Sequence, residues 1–197
     1  REGAASLLVP AGRSDTGVSV NGTRKRTIDF RDKNIRKEEN EMGQIILASA
    51  SPRRKELLEQ IGISFEICPA KGEERITKSV PHEVVEELAS QKAVEVASMV
   101  RTYEETHQEL VTPSDLMVIG ADTIVSCGGQ ILGKPKDEHD ACRMLKLLSG
   151  GTHQVYTGVS IVLLDASGKA GQVTFHEKTD VTMRAMSEEE IRRYVAT

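Results

Sequence analysis

A chain of 197 residues, 38% hydrophobic and 28% charged, has the size and make-up of one globular domain, or of one domain with an appendage. A net charge of −4 argues against a basic nucleic-acid coat, 3% aromatic residues argue against a base-stacking platform, and no apolar run reaches the roughly 18–20 residues of a membrane span. Cys68, Cys127 and Cys142 form no Cys-x-x-Cys pair, so neither a disulfide framework nor a zinc knuckle is indicated, and a reducing cytoplasm is the expected location.

Residues 1–41 differ from the rest: Arg13–Arg26 is polar and Gly-rich with no sustained helical or strand period, and Arg31–Glu41 is almost wholly charged or Asn. Such a segment buries too little apolar surface to offset its ordering entropy. Without an apolar core it is not a secretory leader. The expectation is a disordered extension ahead of a native start at Met42, with the domain occupying 42–197.

From Gln44 the pattern becomes α/β. Ile45–Ala48 is a short apolar run, expected as a buried strand. Ser51 and Pro52 open a helix at N-cap and N1, with Leu57, Leu58 and Ile61 on one face and a stop at Gly62. Ile63–Cys68 alternates as a second strand, and Lys71–Ser79 is a charged loop. Pro81 starts a long amphipathic helix through Val84, Leu88, Val94 and Met99. Leu116–Ile119 is the next buried strand, ending in Gly120-Ala-Asp-Thr123. Ile124–Leu132 reads as a hairpin turning at Gly128-Gly129. Asp137–Leu148 is a helix with Ala141, Met144, Leu145 and Leu148 inward. Strands at Gln154–Leu164 and Gly171–Met183 flank a Ser167-Gly168 turn. Ser187-Glu-Glu-Glu190 is an N-capped acidic first turn. That helix stops after roughly two turns at Thr197, a pattern expected of a C-terminal truncation.

Three groups of residues could carry chemistry. Ala48-Ser-Ala-Ser-Pro-Arg-Arg54 stands where a strand becomes a helix, with Ser49, Ser51, Arg53 and Arg54 around backbone N–H groups that suit a phosphate. The plainer reading is an ordinary Ser N-cap with solvated arginines. Asp122 follows an apolar strand, which puts it at the carboxyl edge of a sheet, where it could hold Mg²⁺ or take a proton from water; equally, it could be a turn Asp bonding its own backbone. Glu73 and Glu74 add carboxylates in a loop, and Lys92 and Lys134 add cations; each singly is an ordinary solvated side chain. His153 could hydrogen-bond a neighbouring loop or act on a substrate. No Walker loop, Gly-x-Ser-x-Gly elbow or Cys–His pair is present. Carboxylates for a divalent metal, cations for a polyanion and no nucleophile describe metal-assisted hydrolysis of a phosphate ester or anhydride.

The order of motifs resembles the Maf family of nucleoside triphosphate pyrophosphatases, also called septum formation proteins. The resemblance is carried by Ser49-Ala-Ser-Pro-Arg-Arg54 with Glu56-Leu-Leu58, Glu73-Glu74, Gln91-Lys-Ala93, Gly120-Ala-Asp-Thr-Ile-Val125, Gly133-Lys-Pro135 and His153-Gln-Val-Tyr-Thr-Gly158. It implies a fold like that of inosine triphosphatase, a long mixed sheet with helices around a central cleft. It implies hydrolysis of a nucleoside triphosphate to the monophosphate and pyrophosphate with Mg²⁺ or Mn²⁺, and a homodimer. On the family pattern Asp122 accepts the proton of water, Arg54, Lys92 and Lys134 hold the triphosphate, and Glu74, with Glu73 beside it, helps bind the metal. Arg53 and Thr123 match positions tied to substrate choice. Arg after Ser-Pro resembles the dTTP/UTP subgroup; Trp is usual there in relatives acting on 7-methyl-GTP. The family's Ala-Tyr-Gly-Ile-Gln segment, whose Gln reads the base, lies beyond the point where this chain stops. Two alternatives compete: a nucleotidyl transferase, which would carry a Gly-rich first loop absent from residues 47–54, and a nucleotide-binding regulator of cell division without turnover.

Overall fold

The computed structural model describes residues 44–106 and 115–197; the expected extension over 1–41 and the start at Met42 lie outside them. The elements in chain order are β1 (Gln44–Leu47), α1 (Pro52–Gln60), β2 (Glu66–Ile67), α2 (Pro81–Thr106), β3 (Leu116–Cys127), β4 (Gln130–Leu132), α3 (Glu138–Leu148), β5 (Thr152–Leu164), β6 (Ala170–Thr182) and α4 (Glu188–Val195). Six strands form one mixed sheet in the order β2-β1-β3-β5-β6, with β4 paired to β3. β1 runs parallel to both β2 and β3, and β4 is antiparallel to β3. The mixed α/β class expected from the sequence is therefore observed. No helix of the described residues is long and apolar enough to cross a membrane.

The described residues fall into two units whose boundaries cut β3, β5 and β6. The first comprises 44–106, 115–122 and 157–177. Its core joins Ile46 and Ala48 of the β1 edge, Leu116 and Val118 of β3, Val162 of β5, and Ala93, Val96, Ala97 and Val100 of α2. The buried stripe of α2 is rich in alanine, so helix and sheet approach closely. That corrects the expected face of this helix: Val94 and Met99 are exposed, while Val85, Ala89 and Ala93 are buried. Small residues were passed over in favour of large ones, although close packing needs both. Likewise α1 buries no residue, and Leu57 and Ile61 stand out to solvent. Ser51 occupies its N-cap position but makes no side-chain cap bond; Pro52 at N1 already fills the place of one orphan donor. The second expected strand shrinks to Glu66–Ile67, the residues in register with Ile46 and Leu47 of β1, and a last bond from the Cys68 N–H to the Leu47 carbonyl closes the pairing.

The other described unit comprises 123–156 and 178–197. Gly128 (φ +58°) and Gly129 (φ +80°) make the two-residue turn into β4, as the hairpin required. α3 is capped by the Asp137 side chain, which accepts from the Asp140 N–H, and it buries Leu145 and Leu148. α4 packs on α3, buries Ile191, and is tied to it by Lys146 Nζ donating to Glu188 at 2.6 Å. Its N-terminus carries a full capping box: Ser187 accepts from the Glu190 N–H while the Glu190 carboxylate accepts from the Ser187 N–H. Donation from Arg184 and from the Ser187 amide holds the Glu190 carboxyl down at about 2. Ser187→Ala, which removes one half of the box, is expected to lower stability by about 1 kcal/mol, read as a shift of the denaturant midpoint at unchanged slope. An unshifted midpoint would show that the box does not hold this helix.

One expectation about β3 fails in an instructive way. The strand does not end at Gly120; it continues to Cys127, so Asp122 lies inside a 12-residue strand and not on a turn beyond it. Gly120 does not stop the strand; it makes a contact. A Cβ there would lie 2.3 Å from the Ala89 carbonyl oxygen and 2.7 Å from the Ala93 nitrogen. The glycine lets the backbone of α2 close onto β3.

Candidate active site

β1 pairs with β3 as far as Leu47 opposite Ile119, and the Ala48 N–H still donates to the Ile119 carbonyl at 2.8 Å. There β1 stops and β3 runs on. Asp122 therefore stands beyond the carboxyl end of its parallel neighbour, at the level where the chain turns from β1 into α1. Asp122 thus reaches the carboxyl-edge position expected of it, although the strand does not end where the sequence suggested.

Ser49 heads the turn and is buried. Its hydroxyl accepts from the Ser51 N–H (3.2 Å) and from the Arg54 guanidinium (2.9 Å). Both acceptor positions are thus in use, which leaves the hydroxyl proton as the group Ser49 can offer outward. Arg54 is drawn below its ordinary pKa by burial, against the pull of the Asp122 and Glu74 carboxylates. It therefore feels both acids while its guanidinium is bonded to Ser49.

Lys92 comes from α2. Its ammonium lies 2.5 Å from Asp122 Oδ1 and 2.9 Å from Glu74 Oε1. Lys92 and Asp122 are largely buried, whereas Glu74 is about half exposed on the loop before α2. The order of events is legible: small Ala89 and Ala93 seat α2 against Gly120, and Lys92, next in sequence to Ala93, then reaches Asp122 two residues past that glycine. Two carboxylates, an ammonium and a guanidinium come together from a strand, a loop, a helix and a turn. Glu73 lines a small cavity of about 50 Å³ with Ala70, Gly72, Glu74, Gln91, Lys92 and Glu95.

Other expected residues are placed elsewhere. Arg53 is well exposed and pairs at 3.6 Å with Glu56 along α1, the solvated-face arrangement. Ser51 contributes its backbone N–H to Ser49. Thr123 follows Asp122 in β3, so strand alternation turns it to the opposite face, and it is exposed. Lys134 is exposed just past β4. His153 in β5 is wholly buried, its ring nitrogens have no partner among the described residues, and burial pushes its pKa down. Of the two roles the sequence left open for it, a bond to a neighbouring loop is not made among the described residues.

A family model described as "Maf-like protein" matches residues 44–197. The chain belongs to the Maf family. Among curated relatives, a dTTP/UTP pyrophosphatase of Agathobacter rectalis is 65% identical over 156 residues, which cover 79% of this Maf chain and 76% of the relative. A protein of the same name from Lachnoclostridium phytofermentans is 44% identical over 154 residues, covering 78% and 72%. Among solved structures, a HAM1 protein from Coxiella burnetii is 14% identical with a TM-score of 0.40 over 70% of this chain and 71% of that one, too loose a likeness to bear on the fold. The Maf match contains Ser49, Arg54, Glu74, Lys92 and Asp122.

Proposed function

We propose that this Maf protein is a nucleoside triphosphate pyrophosphatase acting on dTTP and UTP, releasing the monophosphate and pyrophosphate and so clearing nucleotides from the pool. The names of the curated relatives support the substrate class. The observation that carries the chemistry is Lys92 held between Glu74 and Asp122, with the Arg54 guanidinium within the electrostatic reach of both acids.

The two carboxylates already converge on a cation, the Lys92 ammonium, and both are hard oxygen donors. That fits Mg²⁺ or Mn²⁺, which are commonly held by one or two carboxylates, with substrate phosphates and water completing the shell. No group of three or more metal-ligating side chains occurs among the described residues. When bound to Glu74 and Asp122, the metal supplies charge neutralisation at the phosphates.

The chain's own groups do the rest. Asp122 accepts a proton from the attacking water as the new P–O bond forms and the bond to the leaving pyrophosphate breaks. Arg54 offers planar paired donors and Lys92 a point charge to the triphosphate oxygens, where negative charge accumulates. Ser49 orients Arg54 and has its hydroxyl proton for a phosphate oxygen. Ser51 and Lys134 join as further phosphate-binding groups, and Arg53 and Thr123 bear on substrate choice; for these four the support is the motif resemblance. A cytoplasmic location rests on the unpaired cysteines, and a homodimer on that resemblance.

The test is release of pyrophosphate from a panel of nucleoside triphosphates with Mg²⁺ or Mn²⁺. Release from dTTP and UTP ahead of the purine nucleotides is expected. A folded protein that releases none from any of them would sink the reading and favour a nucleotide-binding regulator.

A further inference from the structure

The loop that carries Glu74 has no regular secondary structure, yet three side chains of α2 grip its backbone in succession. Glu95 Oε1 accepts from the N–H groups of both Lys71 (2.8 Å) and Gly72 (2.9 Å). Gln91 makes a two-way clamp on Arg75: its Oε1 accepts from the Arg75 N–H (3.0 Å) and its Nε2 donates to the Arg75 carbonyl (2.6 Å). Glu87 accepts from the N–H (2.9 Å) and the hydroxyl (2.6 Å) of Thr77. Those two bonds hold the Glu87 carboxyl below its usual range.

Residues 87, 91 and 95 are spaced i, i+4, i+8, which puts them in one row along the helix. Each step of four climbs about 6 Å, which the loop covers with two residues from Arg75 to Thr77 and with three, less extended, from Gly72 to Arg75, and it meets the row in reverse order as it runs antiparallel to α2. Glu74 lies between the Glu95 and Gln91 grips, and Lys92 is next to Gln91 in sequence. Gly72 completes the fit: a Cβ there would stand 2.7 Å from Glu95 Oε2, so the absence of a side chain lets the carboxylate reach the backbone.

We infer that Glu87, Gln91 and Glu95 are positioning residues, which fasten the 71–77 loop along α2 and thereby hold the Glu74 carboxylate against Lys92 and Asp122. The inference rests on the reading of Glu74 as a metal-holding carboxylate. A hydrophilic row on a long helix passes for a solvated face; here it is a rack for a loop that would otherwise wander, and a metal ligand on a wandering loop binds weakly.

The test uses the whole chain and two measurements that need no turnover: amide hydrogen exchange over 71–77, and Mn²⁺ affinity from the electron paramagnetic resonance signal of the free ion. Glu95→Ala and Gln91→Ala should accelerate exchange at Lys71, Gly72 and Arg75 and weaken Mn²⁺ binding by about 10-fold or more, the usual cost of removing a group that orients a ligand. Glu95→Gln keeps a carbonyl acceptor at Oε1 and should restore both. In turnover, saturating Mn²⁺ should recover kcat in the alanine variants, a split that general destabilisation would not produce. Unchanged exchange, or faster exchange with unchanged Mn²⁺ affinity, overturns the inference. Glu74→Gln is the reference: if it leaves Mn²⁺ affinity unchanged, the metal assignment itself has failed and the inference falls with it. If it weakens binding while Glu95→Ala does not, only the positioning role is lost.

Discussion

Asp122→Asn should reduce pyrophosphate release from dTTP and UTP by roughly 10²–10⁴-fold, the span associated with a positioned general base. Nucleotide binding, measured by calorimetry on a non-hydrolysable analogue, should change far less. The substitution suits the question because the amide is nearly the same shape and its oxygen can still accept from Lys92, now 2.5 Å from the carboxylate. What disappears is the ability to take a proton, together with one negative charge at the metal. Rescue by high Mn²⁺ would show that lost charge dominates; persistence of the defect at saturating metal points to the lost base. A variant that turns over normally would remove Asp122 from the mechanism, and with it the central role proposed for this cluster.

Gly158→Ala and Gly120→Ala are expected to unfold the domain or come close to it. A Cβ on Gly158 would lie 2.2 Å from the Val85 carbonyl oxygen and 2.4 Å from its carbon; one on Gly120 would lie 2.3 Å from the Ala89 carbonyl oxygen. The atoms in the way are helix backbone, which cannot rotate aside as the end of a long side chain can. Overpacking of a core typically costs 1–3 kcal/mol, so each substitution should cost about 3 kcal/mol or more, a large share of the stability of an ordinary domain. Gly171→Ala is the matched control: its Cβ would meet nothing within 4 Å, and its midpoint in denaturant should barely move. A near-neutral Gly158→Ala or Gly120→Ala would mean that α2 can retreat from the sheet. In that case Lys92 should also lose Asp122, and activity would fall even though the fold survived.

These glycines show why the sequence was only partly readable. In Gly120-Ala-Asp-Thr123 a glycine after an apolar run looks like a strand terminator, because local rules see missing propensity and cannot see an approaching helix. The same limit hid the alanine stripe of α2, where Val94 and Met99 seemed the natural core and proved exposed. Where a device is local, reading was sound. The Gly128-Gly129 hairpin and the Ser187–Glu190 capping box both appear as expected, since each closes within four residues and needs no partner.

The sequence alone carried the α/β class, the succession of strands and helices, the Maf resemblance and the identity of the acids and cations worth testing, because residue type, short-range periodicity and turn chemistry are written along the chain. Tertiary structure alone decided that Lys92 touches both Glu74 and Asp122 and that Arg54 lies in the field of the two acids. It also decided that Arg53 pairs along its own helix, that His153 is buried without a partner among the described residues, and that Glu87, Gln91 and Glu95 hold a loop. The reason is physical. A lysine 30 residues from its carboxylate meets it only if a helix can lie within backbone contact of a strand, and that depends on the absence of a side chain at Gly120.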